Sequence, residues 1–125
     1  MRPQIVEPAG SPKPVGPYSH AVRVGDFLFC SGQIPLTKDG KLIEGGIREQ
    51  TRQVLQNLSA ILQDQSLTAA NVVKTTVFLT DLQEFAEMNS IYAEFFQANF
   101  PARSTIQVAA LPRGARVEIE AVACY

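Results

Sequence analysis

Val72-Val73-Lys74-Thr75-Thr76-Val77-Phe78-Leu79 runs directly into Thr80-Asp81-Leu82-Gln83-Glu84-Phe85, and this junction of two periodicities decides the fold class. The first eight residues are rich in β-branched and aromatic types, so they read as a strand. Its faces are Val73, Thr75, Val77, Leu79 and Val72, Lys74, Thr76, Phe78, and neither is fully polar. From Asp81 the period changes to that of a helix. Leu82, Phe85, Met88/Asn89, Tyr92 and Phe95/Phe96 recur at helical spacing. Asp81 is placed to cap the first turn, with Glu84 three residues on in the reciprocal capping position. Phe100-Pro101 ends the segment, because proline biases the residue before it away from helix.

Working outward, Ile47, Val54, Leu55, Leu58, Ile61 and Leu62 form another helical stripe and predict a helix over Ile47 to Gln65. Upstream, Ala21 to Val24 and Phe27 to Ser31 flank Gly25-Asp26, the pattern of two antiparallel strands joined by a type II′ turn. Asp39-Gly40 marks a further turn beside a short strand near Lys41 to Ile43. Five prolines between Pro3 and Pro17 make the N-terminal segment an extended or turning arm. Downstream, Ser104 to Ala109 and Arg116 to Cys124 read as strands on either side of the turn Leu111-Pro112-Arg113-Gly114. The order ββ(β)αβαββ predicts an α+β domain spanning residues 1–125, with both helices on one face of a mixed sheet. Two helices cover only one face, so the apolar positions left on the other predict self-association.

Composition narrows the chemistry. The 125 residues carry a formal net charge of −1 and a single histidine, His20. Near-neutral charge argues against binding nucleic acid through a bulk field. No apolar run approaches the roughly 20 residues that span a bilayer, which argues against a membrane partner. Met1 to Lys13 lacks the apolar stretch of a secretory signal, and Cys30 and Cys124 lie far apart, so reduced thiols in the cytoplasm are expected. One histidine excludes a multi-histidine metal site within the chain.

Three features could carry chemistry. Gly16-Pro17-Tyr18 sets a hydroxylated ring directly after a rigid turn. Ser31-Gly32-Gln33-Ile34-Pro35 closes a strand, and Gly32 would let a ligand approach backbone N–H groups. Pro101-Ala102-Arg103-Ser104-Thr105 holds a guanidinium on a short leash, the group best shaped to grip a carboxylate. If the last two strands pair as a hairpin, Arg103 and a glutamate of Arg116-Val117-Glu118-Ile119-Glu120 would converge on a pocket. Glu118 and Glu120, about 7 Å apart on one strand face, equally fit a solvated surface. His20 reads as structural, Cys30 as a small buried hydrophobe, and Phe85, Tyr92, Phe95 and Phe96 as core. The residues by themselves support a small, oligomeric α+β domain that binds a small carboxylate.

Taken in order, these pieces resemble the RidA (YjgF-type) reactive intermediate deaminase family, formerly described as L-PSP endoribonucleases or translation inhibitors. The match runs from Pro14 to Ala123 through Gly16-Pro17-Tyr18, Ser31-Gly32-Gln33-Ile34-Pro35 and Val73-Lys74-Thr75-Thr76-Val77-Phe78-Leu79. Its most specific part is Phe100-Pro101-Ala102-Arg103-Ser104, continuing through Val108-Ala109-Ala110-Leu111-Pro112 to Val117-Glu118-Ile119-Glu120-Ala121. The resemblance implies a chorismate-mutase-like fold and a homotrimer with a central barrel, its active sites lying between subunits. It also implies hydrolysis of 2-imino acids such as 2-iminobutanoate and 2-iminopropanoate to 2-oxo acids and ammonia, with no cofactor. On the matching positions, Arg103 would bind the substrate carboxylate with the Gly32 backbone, and Glu118 would orient or activate water. Tyr18 would pack against the substrate, while Ser31, Asn89, Ser104 and Thr105 would line the pocket. Many bacterial relatives carry cysteine where this chain has Thr105, which argues against a thiol-dependent step. RNA cleavage or translation inhibition, and ligand binding or holdase action without turnover, are the competing readings.

Overall fold

The computed structural model describes all of residues 1–125 and contains six strands and two α-helices. In chain order these are β1 (Gln4–Val6), β2 (Ala21–Val24), β3 (Phe27–Gln33), α1 (Ile47–Asp64), β4 (Val72–Leu79), α2 (Phe85–Phe96), β5 (Ala102–Gln107) and β6 (Val117–Cys124). The strands form one sheet in the order β1-β2-β3-β6-β4-β5. Every pairing is antiparallel except β4 with β5, so the sheet is mixed, as the sequence predicts.

That parallel pair corrects the expected hairpin. β5 lies beside β4, with Thr75 opposite Arg103 and Val77 opposite Thr105, and β6 occupies the other side of β4. β4, α2 and β5 are thus a βαβ unit, the kind of connection that parallel neighbours require. The β2–β3 hairpin forms as predicted, with Gly25 at φ 58 in its turn. Lys41 to Ile43 does not become a strand. A turn in which Thr37 N–H donates to Lys41 C=O (2.7 Å) leaves only a single bridge between Leu36 and Leu42. The additional strand is β1 instead, at the edge of the sheet, where proline-flanked segments are tolerated.

Helix α1 begins at the predicted residue, with Glu49 Oε1 accepting the N–H of Gly46 at 2.8 Å. Helix α2 is shorter than predicted at both ends. Asp81 Oδ1 accepts from Gln83 N–H (2.9 Å), but it caps a 3₁₀ turn over Leu82–Glu84. Glu84 bonds Arg116 Nη1 at 3.0 Å instead of closing a capping box. At the other end Gln97 takes a left-handed φ of 61 and stops the helix before Phe100-Pro101 is reached.

The core fills the space between the helices and one sheet face. Val54, Leu55, Leu58, Ile61 and Leu62 of α1, with Met88, Ile91, Tyr92 and Phe96 of α2, pack with Leu28, Val77, Leu79, Val117, Ile119 and Ala121. Each fully buried aliphatic side chain contributes about 1.5–3 kcal/mol relative to exposure. Cys30 belongs to this layer, and burial pushes its thiol up to about 12. Alternation breaks at the start of β4, where the register shifts between Val72 and Lys74. Val72 is therefore buried and Val73 exposed, the reverse of a simple two-face reading. The opposite sheet face has no helix on it and displays Phe27 and Phe29 at 46% and 47% exposure.

Candidate active site

Arg103 stands on edge strand β5, directly beside Thr75 in the ladder and on the helix side of the sheet. Its guanidinium carbon lies 4.7 Å from the centre of the Tyr92 ring and 5.5 Å from that of Phe85. The Tyr92 hydroxyl is in turn 2.6 Å from Thr75 Oγ1. Burial pushes the Tyr92 hydroxyl up from its ordinary value, with the Thr75 hydrogen bond and the Arg103 charge pulling the other way. The chain's two ion pairs, Arg52–Glu94 and Arg116–Glu84, do not involve Arg103. A positive charge is thus held by aromatic faces, and its hydrogen-bonding fork has no carboxylate partner.

Two further polar atoms join it. Asn89 lies between Phe85 and Tyr92 on one stripe of α2, at i, i+4 and i+7, and Thr105 is two residues beyond Arg103 on the same strand face. Asn89 Oδ1 and Thr105 Oγ1 are both buried and lack hydrogen-bond partners. Buried polar atoms are nearly always paired, so these suit a polar ligand, with Asn89 Oδ1 accepting from its N–H and Thr105 Oγ1 able to donate to its oxygen.

The remaining predicted residues gather elsewhere. Glu118 sits on β6 opposite Phe78, on the sheet face without helices, and covers Gly32. A methyl group added at Gly32 would stand 2.7 Å from Glu118 Oε2, so only glycine lets the carboxylate lie there. Gly32 falls within the irregularity between Cys30 and Gln33 where β3 and β6 lose register. Burial first, then the neighbouring Glu120, raises the Glu118 pKa above the ordinary carboxylate value. Ser31 Oγ donates to Ser19 C=O (2.6 Å) and its N–H to His20 C=O (2.9 Å), which fastens the proline-rich arm to β3. That arm presents Tyr18, whose ring is nearly half exposed and whose hydroxyl accepts from Val15 N–H at 3.2 Å. Tyr18, His20 and Gly32 line a common small cavity with Gln33 and Asn57.

The sequence-predicted residues therefore form two groups. Arg103, Asn89 and Thr105 share the helix side, while Gly32 and Glu118 meet on the other side, with Tyr18 and Ser31 beside Gly32. Ser104 pairs with Thr76 and points away from the face that Arg103 occupies. Arg103 and Glu118 do not converge within one chain. A shallow depression of about 290 Å³ on the uncovered face, lined by Phe29, Ser31, Lys74, Thr76, Glu120 and Val122 among others, contains neither of them. Sequence reasoning placed Tyr92 and Phe85 in the core and overlooked Thr75. The available signal was a hydroxylated ring in an otherwise apolar stripe, since buried tyrosines usually find a partner.

Residues 9–125 match the family described as Endoribonuclease L-PSP. The chain belongs to that family, which is also known as YjgF/RidA. Among its L-PSP relatives, a human protein named 2-iminobutanoate/2-iminopropanoate deaminase is 46% identical over 121 residues, covering 96% of this chain and 88% of its own. A yeast crystal structure superposes with a TM-score of 0.96 at 43% identity, covering 98% of both chains. The Escherichia coli protein TdcF, solved with bound serine, gives a TM-score of 0.92 at 40% identity, again over 98% of both chains. Like-sized L-PSP family chains therefore share this mixed sheet from end to end. No helix here is long and apolar enough to cross a membrane.

Proposed function

We propose that this protein hydrolyses small 2-imino acids, such as 2-iminobutanoate and 2-iminopropanoate, to 2-oxo acids and ammonia. The observation that carries this reading is the Arg103 guanidinium, which has no carboxylate partner and lies over Tyr92 and Phe85, on the strand face it shares with the unpaired Thr105 Oγ1. Its fork suits a carboxylate, and charge-assisted hydrogen bonds of that kind contribute about 1.5–3 kcal/mol each. Deaminase-named relatives at about this identity, and the amino acid bound to TdcF, support a small carboxylate ligand.

The reaction needs little activation. An imine carbon is already electrophilic, so fixing the carboxylate on Arg103 holds the C=N carbon where water can reach it. Glu118 takes a proton from that water as its oxygen bonds to carbon and passes it to the imine nitrogen, giving a tetrahedral amino alcohol. The same carboxylate then takes the hydroxyl proton and delivers it to nitrogen as the C–N bond breaks, so ammonia leaves as the C=O forms. Water supplies the oxygen and both added hydrogens. The raised pKa of Glu118 suits this double role, because it brings the carboxyl closer to working pH. Glu120, more exposed on the same face, is the alternative base.

Arg103 and Glu118 belong to opposite sheet faces, so this mechanism requires one residue from each of two copies. A homotrimer whose uncovered sheet faces turn inward to form a barrel meets that requirement and buries Phe27 and Phe29. A cytoplasmic setting belongs to the same proposal, since both cysteines are free thiols.

The test adds the protein to a threonine dehydratase reaction in which the imine is trapped with semicarbazide. Wild type should divert the flux to free 2-oxobutanoate, and Arg103→Ala should remove the effect. An inactive wild type, or an Arg103→Ala variant that works equally well, would overturn the assignment.

A further inference from the structure

We propose that Thr75 and Tyr92 are positioning residues for Arg103, acting through a hydroxyl pair buried behind the guanidinium. The inference rests on reading Arg103 as the carboxylate-binding group. Its basis is a continuous stack of contacts. Thr75 is the ladder neighbour of Arg103 and is 1% exposed. Its Oγ1 lies 2.6 Å from the Tyr92 hydroxyl, Tyr92 is 4% exposed, and the Tyr92 ring carries the guanidinium 4.7 Å above its centre. Phe96 braces the same ring from another side, with centroids 4.6 Å apart.

The pair matters because of what Arg103 lacks. Without a carboxylate to anchor it, the guanidinium is oriented by the ring faces beneath it. A cation over a ring is directional only if the ring itself is held. Phe96 packs against the Tyr92 ring but supplies no directional bond. The hydroxyl pair does, and it ties the ring to the strand next to the one that carries Arg103. The strand, the ring and the cation thus form a closed frame, and the fork it holds has no carboxylate partner in the chain. Neither Thr75 nor Tyr92 needs to touch substrate for this role.

Removing one hydroxyl and removing both should have different consequences. Thr75→Val leaves the Tyr92 hydroxyl buried without its partner, so both stability and ring orientation suffer. The double variant Thr75→Val/Tyr92→Phe leaves no orphaned group, and replacing both partners by apolar groups of like shape is close to neutral for stability. It still lacks the directional tie. A purely structural role therefore predicts that melting temperature and substrate affinity recover together in the double variant. A positioning role predicts that stability recovers and affinity does not.

The experiment measures melting temperature, KM and kcat in the coupled assay, and the side-chain Nε–Hε order parameter of Arg103 by ¹⁵N relaxation. For the double variant the expected result is a melting temperature near wild type, KM raised about tenfold and kcat within about twofold. The Arg103 order parameter should fall from a rigid value to below about 0.6. Thr75→Ser, which keeps a hydroxyl, should restore KM. Wild-type KM and an unchanged order parameter in the double variant would overturn the proposal. The relaxation measurement needs no turnover, so an inactive wild type would refute the deaminase reading while the order parameter still decides the role of Thr75 and Tyr92.

Discussion

The two faces of this sheet hold opposite charges in opposite ways. On the helix side, Arg103 is assembled by packing, with two aromatic rings beneath it and a hydroxyl pair behind. On the bare side, Glu118 is accommodated by a missing side chain, its carboxylate resting over Gly32 while burial and Glu120 disfavour its charge. Neither has an ionic partner in its own chain. An ion pair between them would satisfy both and at the same time occupy the fork a substrate needs and tie up the base. Within one chain the opposite faces keep the two groups from pairing. In the proposed trimer, assembly of two copies brings cation and base to one cleft.

The most severe way to break this contrast is to neutralise its acidic half. Glu118→Gln should lower kcat by about 10²–10⁴-fold, the range typical of one acid–base group, with a smaller change in KM. A Glu118→Gln enzyme of wild-type rate would move the base to Glu120. Gly32→Ala should come next. Its methyl group must displace the carboxylate, and a loss of about 10²-fold in kcat/KM is expected from misplacement of that order. Retention of full activity would mean that Glu118 does not work from the position over Gly32. Arg103→Lys tests the other half. A point charge replaces the fork, so KM should rise by about tenfold or more, and a lysine enzyme with unaltered KM would argue against bidentate carboxylate binding.

Subtler effects concern pH. Glu120 raises the Glu118 pKa, so Glu120→Gln should move the acid limb of the kcat–pH profile to lower pH, while an upward shift would contradict the like-charge account. Stability carries a matching signature. With its folded pKa above the ordinary carboxylate value, Glu118 contributes its full stability below that ordinary value and loses it as pH rises through the raised one. At neutral pH the ionised group is therefore a burden. Glu118→Gln should melt slightly higher than wild type at pH 7, and the gain should vanish in acid. A lower melting point at pH 7 would show the carboxylate to be stabilising where it lies.

Much of this was legible in the sequence, for definable reasons. Ile47 to Leu62 and Leu82 to Phe96 show their helices because apolar spacing records which face is buried, and that record does not depend on neighbours. Strand partners leave no such record. Arg103 to Gln107 alternates in the same way whether it pairs with β6 in a hairpin or with β4 in parallel, so the wrong neighbour was inferred. Arg103 and Glu118 consequently looked convergent when the sheet separates them. Val72 and Val73 exchanged faces because a register shift is a property of two strands and cannot be read from one. Gln4–Val6 escaped notice because a three-residue edge strand among prolines has no periodicity to detect. The resemblance supplied Arg103 and Glu118, whereas Thr75 became visible only once Tyr92 was seen to reach it.

The buried Cys30 has a practical consequence. Burial pushes its thiol up to about 12 and so disfavours the thiolate, the form that attacks alkylating reagents. Cys124, the only other cysteine, lies partly open on the face without helices. In a single chain a maleimide dye thus has one exposed sulfur to find, and closing of the proposed barrel would cover it. Labelling of the natural sequence, with no cysteine to remove and none to add, would therefore tell the lone chain from the assembly.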